Sequence, residues 1–310
     1  MITNVIASRC SRRSNLLLLA LVLLSACSPQ APPEPREPVV VYAAFEDDSH
    51  LVDIFDRYKE ETGTLVIVRR GPAGKIVDDL IENHISPPAD ILITASVVDA
   101  WRAAEESALR PLYEDAVSGQ LPGWAMDPDK LWFALSADHA VMAYRGDAPD
   151  ATDLADLTHE RFGGQLCLSS SANAINRAAI ANLVDQLGVR PAEIVVRGWV
   201  QNLALPPFRT DEELLQAIAD GRCAVGIIAH SAATQSGVSF AQPATFFADI
   251  EAIGVARHAR NPDGAAAFVE WLVAEIVDLS ANEGSESRHV SRVALHHEEA
   301  KRLAERARYP

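Results

Sequence analysis

The chain has 310 residues, of which 48% are hydrophobic, and its formal net charge is −16 at pH 7. This length and this hydrophobic content suffice for one large core or two medium ones. The negative charge argues against nucleic acid and anionic lipid surfaces as partners. It is compatible with a cationic ligand, although acidity also keeps proteins soluble.

Residues 1–26 predict a lipoprotein signal peptide. Three arginines precede an uninterrupted apolar run, 16–24, which is shorter than the ~20 residues of a membrane span. The run closes on the letters LSAC, which resemble the lipobox of bacterial lipoproteins, so we expect Cys27 to be diacylated and to become the mature N-terminus. The alternative is a plain signal peptide with a chance cysteine. Removal of this segment takes away three arginines and no acid, so the net charge falls from −16 to −19.

Residues 27–38 contain five prolines and predict an extended tether, so the globular body begins near Val39. Strand-like and helix-like patterns then alternate. The predicted elements of the first part are a strand at 39–43, a helix at 48–63, a strand at 65–69, a helix at 75–83, a strand at 89–96 and a helix at 97–112. This alternation predicts an α/β lobe with a mostly parallel sheet.

Residues 131–147 read as two extended pieces with a polar break at 136–139. The alternation then restarts, which predicts a second α/β lobe with ligands bound near the carboxyl ends of the strands. Its predicted elements are a strand at 165–169, helices at 174–188, 191–201 and 210–220, and a strand at 223–229. A strand at 250–257, a helix at 262–275 and a charged tail from 280, helical in places, complete the chain.

Several segments, in this order, resemble the ferric-iron-binding subgroup of periplasmic solute-binding proteins, which serve ABC importers. They include 131-LWFALSADHAVMAYRGD-147, 163-GGQLCLSSSANA-174 and 221-GRCAVGIIAH-230. The resemblance implies a two-lobed periplasmic-binding-protein fold of class II type, with the lobes joined by crossover strands. Lobe 1 would comprise 39–135 plus 247–310, and lobe 2 would comprise 136–246.

The same resemblance implies that ferric iron is held by two adjacent tyrosines, because phenolates suit a hard and highly charged cation. At those positions this chain has Ser231 and Ala232. A histidine expected after the first strand falls at Glu46, and a glutamate expected after the third strand falls at Ala95. We therefore predict an altered ligand site that does not hold ferric iron through tyrosines.

Two groups of residues remain as ligand-binding candidates. Ser170, Ser171 and Asn173 precede a predicted helix, where hydroxyls and backbone N–H groups can hold an anion, although simple helix capping is the alternative. The other candidates follow strands or crossovers: Glu46, Asp47, Ser96, Asp138, His139, His230 and Ser231. These oxygen and imidazole groups suit a divalent metal or an amine, so a metal ion is one option. No metal ligand and no cofactor is assigned.

Cys167 and Cys223 lie in strand-like runs, and export permits a disulfide between them, with two buried free thiols as the alternative. No CxxC motif or cysteine–histidine cluster indicates zinc.

The chain has no GxSxG, HExxH, Walker-type or GxGxxG motif, so we predict that it is not an enzyme. The predicted protein is a monomeric solute-binding lipoprotein at the periplasmic face, anchored to the membrane only through its lipid. Its predicted partners are a small-molecule or ion ligand and an ABC permease. The alternative is a sensor or interaction lipoprotein on the same scaffold with a degraded cleft, and a third option is iron binding through substitute ligands.

Overall fold

The structure is a computed structural model that describes residues 36–44, 49–83, 85–113, 115–246, 248–277, 279 and 290–310, with only the backbone of 49–50. Glu37–Pro310 form one compact unit, and the other unit, Met1–Arg36, is described only at Arg36. The signal peptide, Cys27, Glu46 and Asp47 therefore lie outside the described residues. In the described part, no helix has the length and apolar character needed to cross a membrane.

The β-branched and apolar runs predicted from the sequence form strands. The strands are β1 (Val39–Ala44), β2 (Val66–Arg70), β3 (Ile91–Thr94), β4 (Leu109–Arg110), β5 (Phe133–Asp138), β6 (Ala140–Tyr144), β7 (Leu166–Leu168), β8 (Val225–Ala229), β9 (Ser239–Ala241) and β10 (Asp249–Ala256).

The α-helices carry apolar residues on the faces that meet the sheets. They are α1 (Ser49–Thr62), α2 (Ala73–Glu82), α3 (Val97–Glu105), α4 (Asp115–Ser118), α5 (Ala174–Leu187), α6 (Val189–Gln201), α7 (Asp211–Ala219), α8 (His230–Ser236), α9 (Pro262–Ile276) and α10 (Ser291–Ala307). Side chains cap several of them. Thr210, for example, accepts a bond from the Glu213 N–H at the start of α7.

The strands form two separate sheets, and both are mixed. The first has the order β2-β1-β3-β10-β4 with β5 on β10, and β10 runs antiparallel to β3, β4 and β5. The second has the order β7-β8-β6-β9, in which only β7 and β8 are parallel. The prediction of mostly parallel sheets was wrong because the strands that link the sheets run in opposite directions and pair with each other.

The chain changes sheets at a single residue, His139, which lies between β5 and β6. It returns between β9 and β10, through residues 242–248. The predicted polar break at 136–139 was wrong, because 136–138 belong to β5 and pair with Asp249, Ile250 and Glu251 of β10. The predicted lobe boundary at 136 therefore falls inside β5, shortly before the change of sheet.

The apolar core has two main parts. One cluster lies under the first sheet and includes Val41, Leu51, Ile91 and Phe268. A larger cluster runs from the first sheet through β6, β7 and β8 to α5, α6 and α10. Buried apolar surface is therefore continuous between the two sheets and their helices.

The C-terminal helix α10 packs on α5 and α6, which accompany the second sheet, and also on α3, which accompanies the first. Arg292 pairs with Asp185 of α5, whose side chain is only 2% exposed, and Arg306 pairs with Glu193 of α6 at 2.8 Å. The tail was predicted within lobe 1, and that assignment stays a prediction, since α10 contacts helices of both sheets.

Cys167 of β7 and Cys223, just before β8, are joined by a disulfide with their Cα atoms 5.9 Å apart. The bond links the two strands of the second sheet that run parallel.

Candidate functional site

Helix α8 begins directly at the end of β8, so His230 and Ser231 stand at the carboxyl end of that strand. The half-buried Asp138, the last residue of β5, accepts bonds from the Ser231 N–H at 3.3 Å and from the Ser231 hydroxyl, and a bond of 2.7 Å from the His139 N–H. The structure thus brings Asp138 into contact with Ser231, next to His230. The Asp138 carboxylate, however, is already engaged in holding the start of α8.

His139 is 0% exposed, although it was predicted to contact a ligand. Its Nε2 lies 2.6 Å from Oε1 of Gln242, and its ring stacks on Phe246 with centroids 4.0 Å apart. Burial lowers the pKa of His139, with a smaller lowering from His230, against the raising effects of the Gln242 bond and the Asp138 charge. In this structure His139 is a neutral residue of the interior rather than a ligand-facing one.

Ser96 caps α3 by accepting a bond from the Val98 N–H, and its hydroxyl donates to Asp249 at 3.0 Å. Asp249 also accepts bonds from the backbone N–H groups of Val97 and Ile250. Burial raises the pKa of Asp249 to about 6, while these three bonds and the charge of Arg177 act in the opposite direction. Ser96 therefore serves a buried carboxylate, and its hydroxyl is not directed to a ligand here.

Asp249 and the half-buried Arg177 were missed in the sequence, although both carry charge between the two sheets. Arg177 lies on α5 of the second sheet and acts electrostatically on Asp249 of β10 and on Asp99 of α3. Burial lowers the pKa of Arg177 and raises the pKa of Asp99. The available signal for Asp249 was its position as the first residue of the apolar strand β10. Charged residues are rarely fully buried without a partner, so an acid at that position indicates a specific partner.

Residues 169–173, the serine loop, connect β7 to α5. Asn173 caps α5 by accepting bonds from the N–H groups of Ile175 at 2.8 Å and Asn176 at 3.4 Å. Two other donors of the loop bond to Pro310. The Ser171 N–H donates to the Pro310 carbonyl at 2.7 Å, and the Ser170 hydroxyl donates to the same oxygen at 3.3 Å.

Tyr309 strengthens this contact, because its buried hydroxyl donates to the carbonyl of Ser169 at 2.6 Å. Burial raises the pKa of Tyr309, so the phenol stays protonated. In the structure, Ser170, Ser171 and Asn173 thus have internal partners. Nothing in the local sequence pattern of the loop points to partners about 140 residues away.

The tyrosines are dispersed over the molecule. Tyr42 is buried in β1 with its hydroxyl on Asp79, and Tyr58 is buried in α1. Tyr113 is 73% exposed, while Tyr144 ends β6 and Tyr309 contacts the serine loop. Among the described residues, no group of three or more histidine, cysteine, aspartate or glutamate side chains is arranged to hold a metal ion.

Two sheets joined by crossovers, with polar residues at the strand ends between them, define the structural class of this protein. The molecule has the two-lobed fold of periplasmic binding proteins, as the solved structures below confirm. The model of the family described as bacterial extracellular solute-binding protein matches residues 39–277, and the chain belongs to this family. The members of the family are binding proteins, so the prediction that the chain is not an enzyme is confirmed.

Individual proteins agree with this assignment. Iron uptake protein A1 of Synechocystis sp. is 25% identical over 281 residues, which cover 82% of this chain and 77% of that protein. The structure described as Trichodesmium (IdiA) (FutA) in complex with iron and citrate ligands has a TM-score of 0.77 at 23% identity. It covers 88% of this chain and 100% of its own.

A third similar structure is that of the periplasmic binding protein AfuA from Actinobacillus pleuropneumoniae with exogenous fructose-6-phosphate bound. Its TM-score is 0.66 at 16% identity, and the match covers 87% of this chain and 97% of that one. The resemblance to the ferric-iron-binding subgroup is thus confirmed at the level of sequence relatives and fold.

Proposed function

We propose that this protein is an exported, lipid-anchored solute-binding protein that closes two lobes on a small solute and presents it to an ABC permease. The observation that carries the proposal is the pair of crossovers, at His139 and at residues 242–248, between two sheets in a chain that matches the family over 39–277. Two short links between lobes form a hinge, and hinge closure buries a solute from water. The anchor would be Cys27.

The solute is proposed to be held without tyrosinate ligands. Ser231 and Ala232 stand where the resembled subgroup has its tyrosine pair, and the described tyrosines are dispersed over separate elements. The named relatives already differ in what they bind, iron with citrate in one and fructose-6-phosphate in another. A small organic solute bound by hydrogen bonds near Asp138, His230 and Ser231, with Glu46 and Asp47 as further candidates, fits these residues better than bare ferric iron.

The proposal is tested by thermal unfolding of the protein against separate panels of ferric iron, divalent cations, oxyanions, phosphorylated sugars and amines. A true solute raises the stability with its concentration, by about 2.7 kcal/mol at 100 times its Kd. We expect such a response from an organic solute, and no tyrosinate absorption band with ferric iron. A visible ferric charge-transfer band would contradict the altered site.

One observation favours the second candidate, a sensor or interaction lipoprotein whose cleft binds nothing tightly. The serine loop and Asp138, two of the polar groups predicted to meet a ligand, are already hydrogen-bonded within the chain. A flat thermal response over the whole panel would favour this function over transport. A bound solute that fails to stimulate a co-expressed permease would point the same way.

A further inference from the structure

His139 is the residue at which the chain first passes from one sheet to the other. It is the single residue between β5 of the first sheet and β6 of the second, and its side chain is 0% exposed. A rotation of one sheet against the other must change the backbone dihedral angles at or beside His139, because this link between the sheets is only one residue long.

The side chain of His139 connects this first crossover to the second one. Gln242 and Phe246 both belong to the returning segment 242–248, and both contact the imidazole, at 2.6 Å from Nε2 and with the rings stacked 4.0 Å apart. The imidazole therefore ties together the two links between the sheets.

The same residue is coupled to the start of α8. The His230 ring stacks on His139 with centroids 5.0 Å apart, and the His230 N–H donates to the His139 carbonyl at 2.9 Å. The His230 ring also forms a T-shaped contact with Phe240, with the ring centroids 5.1 Å apart. A solute that touches His230 would therefore act directly on the hinge.

The contacts of His139 suit only its neutral form. With Nε2–H donating to Gln242, Nδ1 is left as an acceptor, and this buried atom has no hydrogen-bond partner among the described residues. Protonation would add a buried N–H without an acceptor and a buried charge. The ionisable groups that act on the ring are His230, which opposes protonation, and Asp138, which favours it. The other neighbours, Gln242 and Phe246, carry no charge.

We propose that His139 is a proton-controlled pin of the hinge: the neutral ring holds the two crossovers together, and protonation releases them. Acidification would thus shift the protein from this arrangement of the lobes to a more loosely hinged one. The inference rests on the proposed function only for the role of the lobe movement in solute binding. The experiment that tests it needs no solute.

The test is hydrogen–deuterium exchange of the full-length protein at about pH 7.5 and about pH 5, corrected for the intrinsic pH dependence of exchange. In the wild type we expect protection of peptides over 136–144 and 240–250 to fall about tenfold at the lower pH, with the β3 core unchanged. His139→Gln keeps a donor toward Gln242 but does not titrate, so its protection over 136–144 and 240–250 should not fall at the lower pH. The titration of Asp249, which is common to the variant and the wild type, acts in the opposite direction and raises protection on acidification. His258→Gln, at an exposed histidine, should behave like the wild type.

Equal wild-type protection at both pH values would overturn the proposal, and so would a His139→Gln variant that still loosens on acidification. If that variant does not fold, nuclear magnetic resonance of histidine-labelled wild type decides. The His139 ring must take up its proton over the same pH range in which the crossovers lose protection. A ring that stays neutral through that range contradicts the pin. A flat solute panel in the earlier thermal test would leave this outcome unaffected.

Discussion

Asp249→Asn provides a sharp test of the buried charge between the sheets. Asp249 is 5% exposed, and its pKa is raised from 3.8 to about 6, first by burial. Because one pKa unit corresponds to about 1.36 kcal/mol, the ionised carboxylate destabilises the folded protein by about 3 kcal/mol at neutral pH. Asparagine removes the charge and retains an oxygen that can accept from Ser96, Val97 and Ile250.

The sign of the effect follows from the direction of the shift. The folded state holds the Asp249 proton more tightly than the unfolded chain, so this group stabilises the fold least when the pH is above about 6. The free energy of unfolding of Asp249→Asn minus that of the wild type should therefore rise by about 3 kcal/mol between about pH 3 and about pH 8. Any constant offset from the new amide does not affect this slope.

Urea unfolding followed by circular dichroism at several pH values measures this difference. The exposed Asp147→Asn is the matched control, and its difference from the wild type should stay flat with pH. Because the titration of His139 is common to both proteins, it cancels in the comparison. A difference for Asp249→Asn that is flat, or that falls as the pH rises, would refute the assigned burial and charge of this carboxyl.

Three further changes test the packing that supports the site. Gly198→Ala in α6 would place its methyl carbon 1.7 Å from Oγ1 of Thr158, so we expect the free energy of unfolding in urea to fall by about 3 kcal/mol. The control Gly74→Ala, whose methyl carbon would meet nothing within 4 Å, should be neutral or slightly stabilising. Cys167→Ser removes a disulfide that spans 56 residues and should lower the free energy of unfolding by about 4 kcal/mol. Thiol counting on the unfolded, unreduced wild type should find neither Cys167 nor Cys223 free. Tyr309→Phe removes the hydrogen bond to the Ser169 carbonyl and should lower the melting temperature by an amount equivalent to about 1 kcal/mol. An unchanged melting temperature would mean that this contact does not stabilise the fold.

The elements of the fold could be predicted because their signals are local. The helical face of α1 and the apolar run of β8 are each contained within one segment, and the predicted bounds lie close to 49–62 and 225–229. The crossover was misplaced for the opposite reason. Ser136 and Asp138 look like a polar break, but their positions in β5 are fixed by pairing with β10, more than 100 residues away.

The place of Ser231 along the chain was predictable, but the partners of the candidate residues were not. The resemblance placed Ser231 at the end of β8, and the structure agrees. The bond between Asp138 and Ser231, which lies 93 residues further along the chain, depends on tertiary structure and leaves no local pattern in the sequence. The alternative reading of Asn173 as a helix cap describes the structure well, because capping is a local interaction.

The internal partners of the serine loop bear on where a solute can bind. An anion that took the Ser171 N–H would have to displace the Pro310 carbonyl and loosen the neighbouring Tyr309. Since exchanging one hydrogen bond for another changes the free energy by only about 1 kcal/mol, the loop offers such an anion little net affinity. His230 has no such bond to the C-terminal segment, and its ring contacts His139 and Phe240 instead. A solute of this protein should therefore gain its affinity from the α8 side of the hinge, with the serine loop serving mainly to hold the C-terminal helix in place.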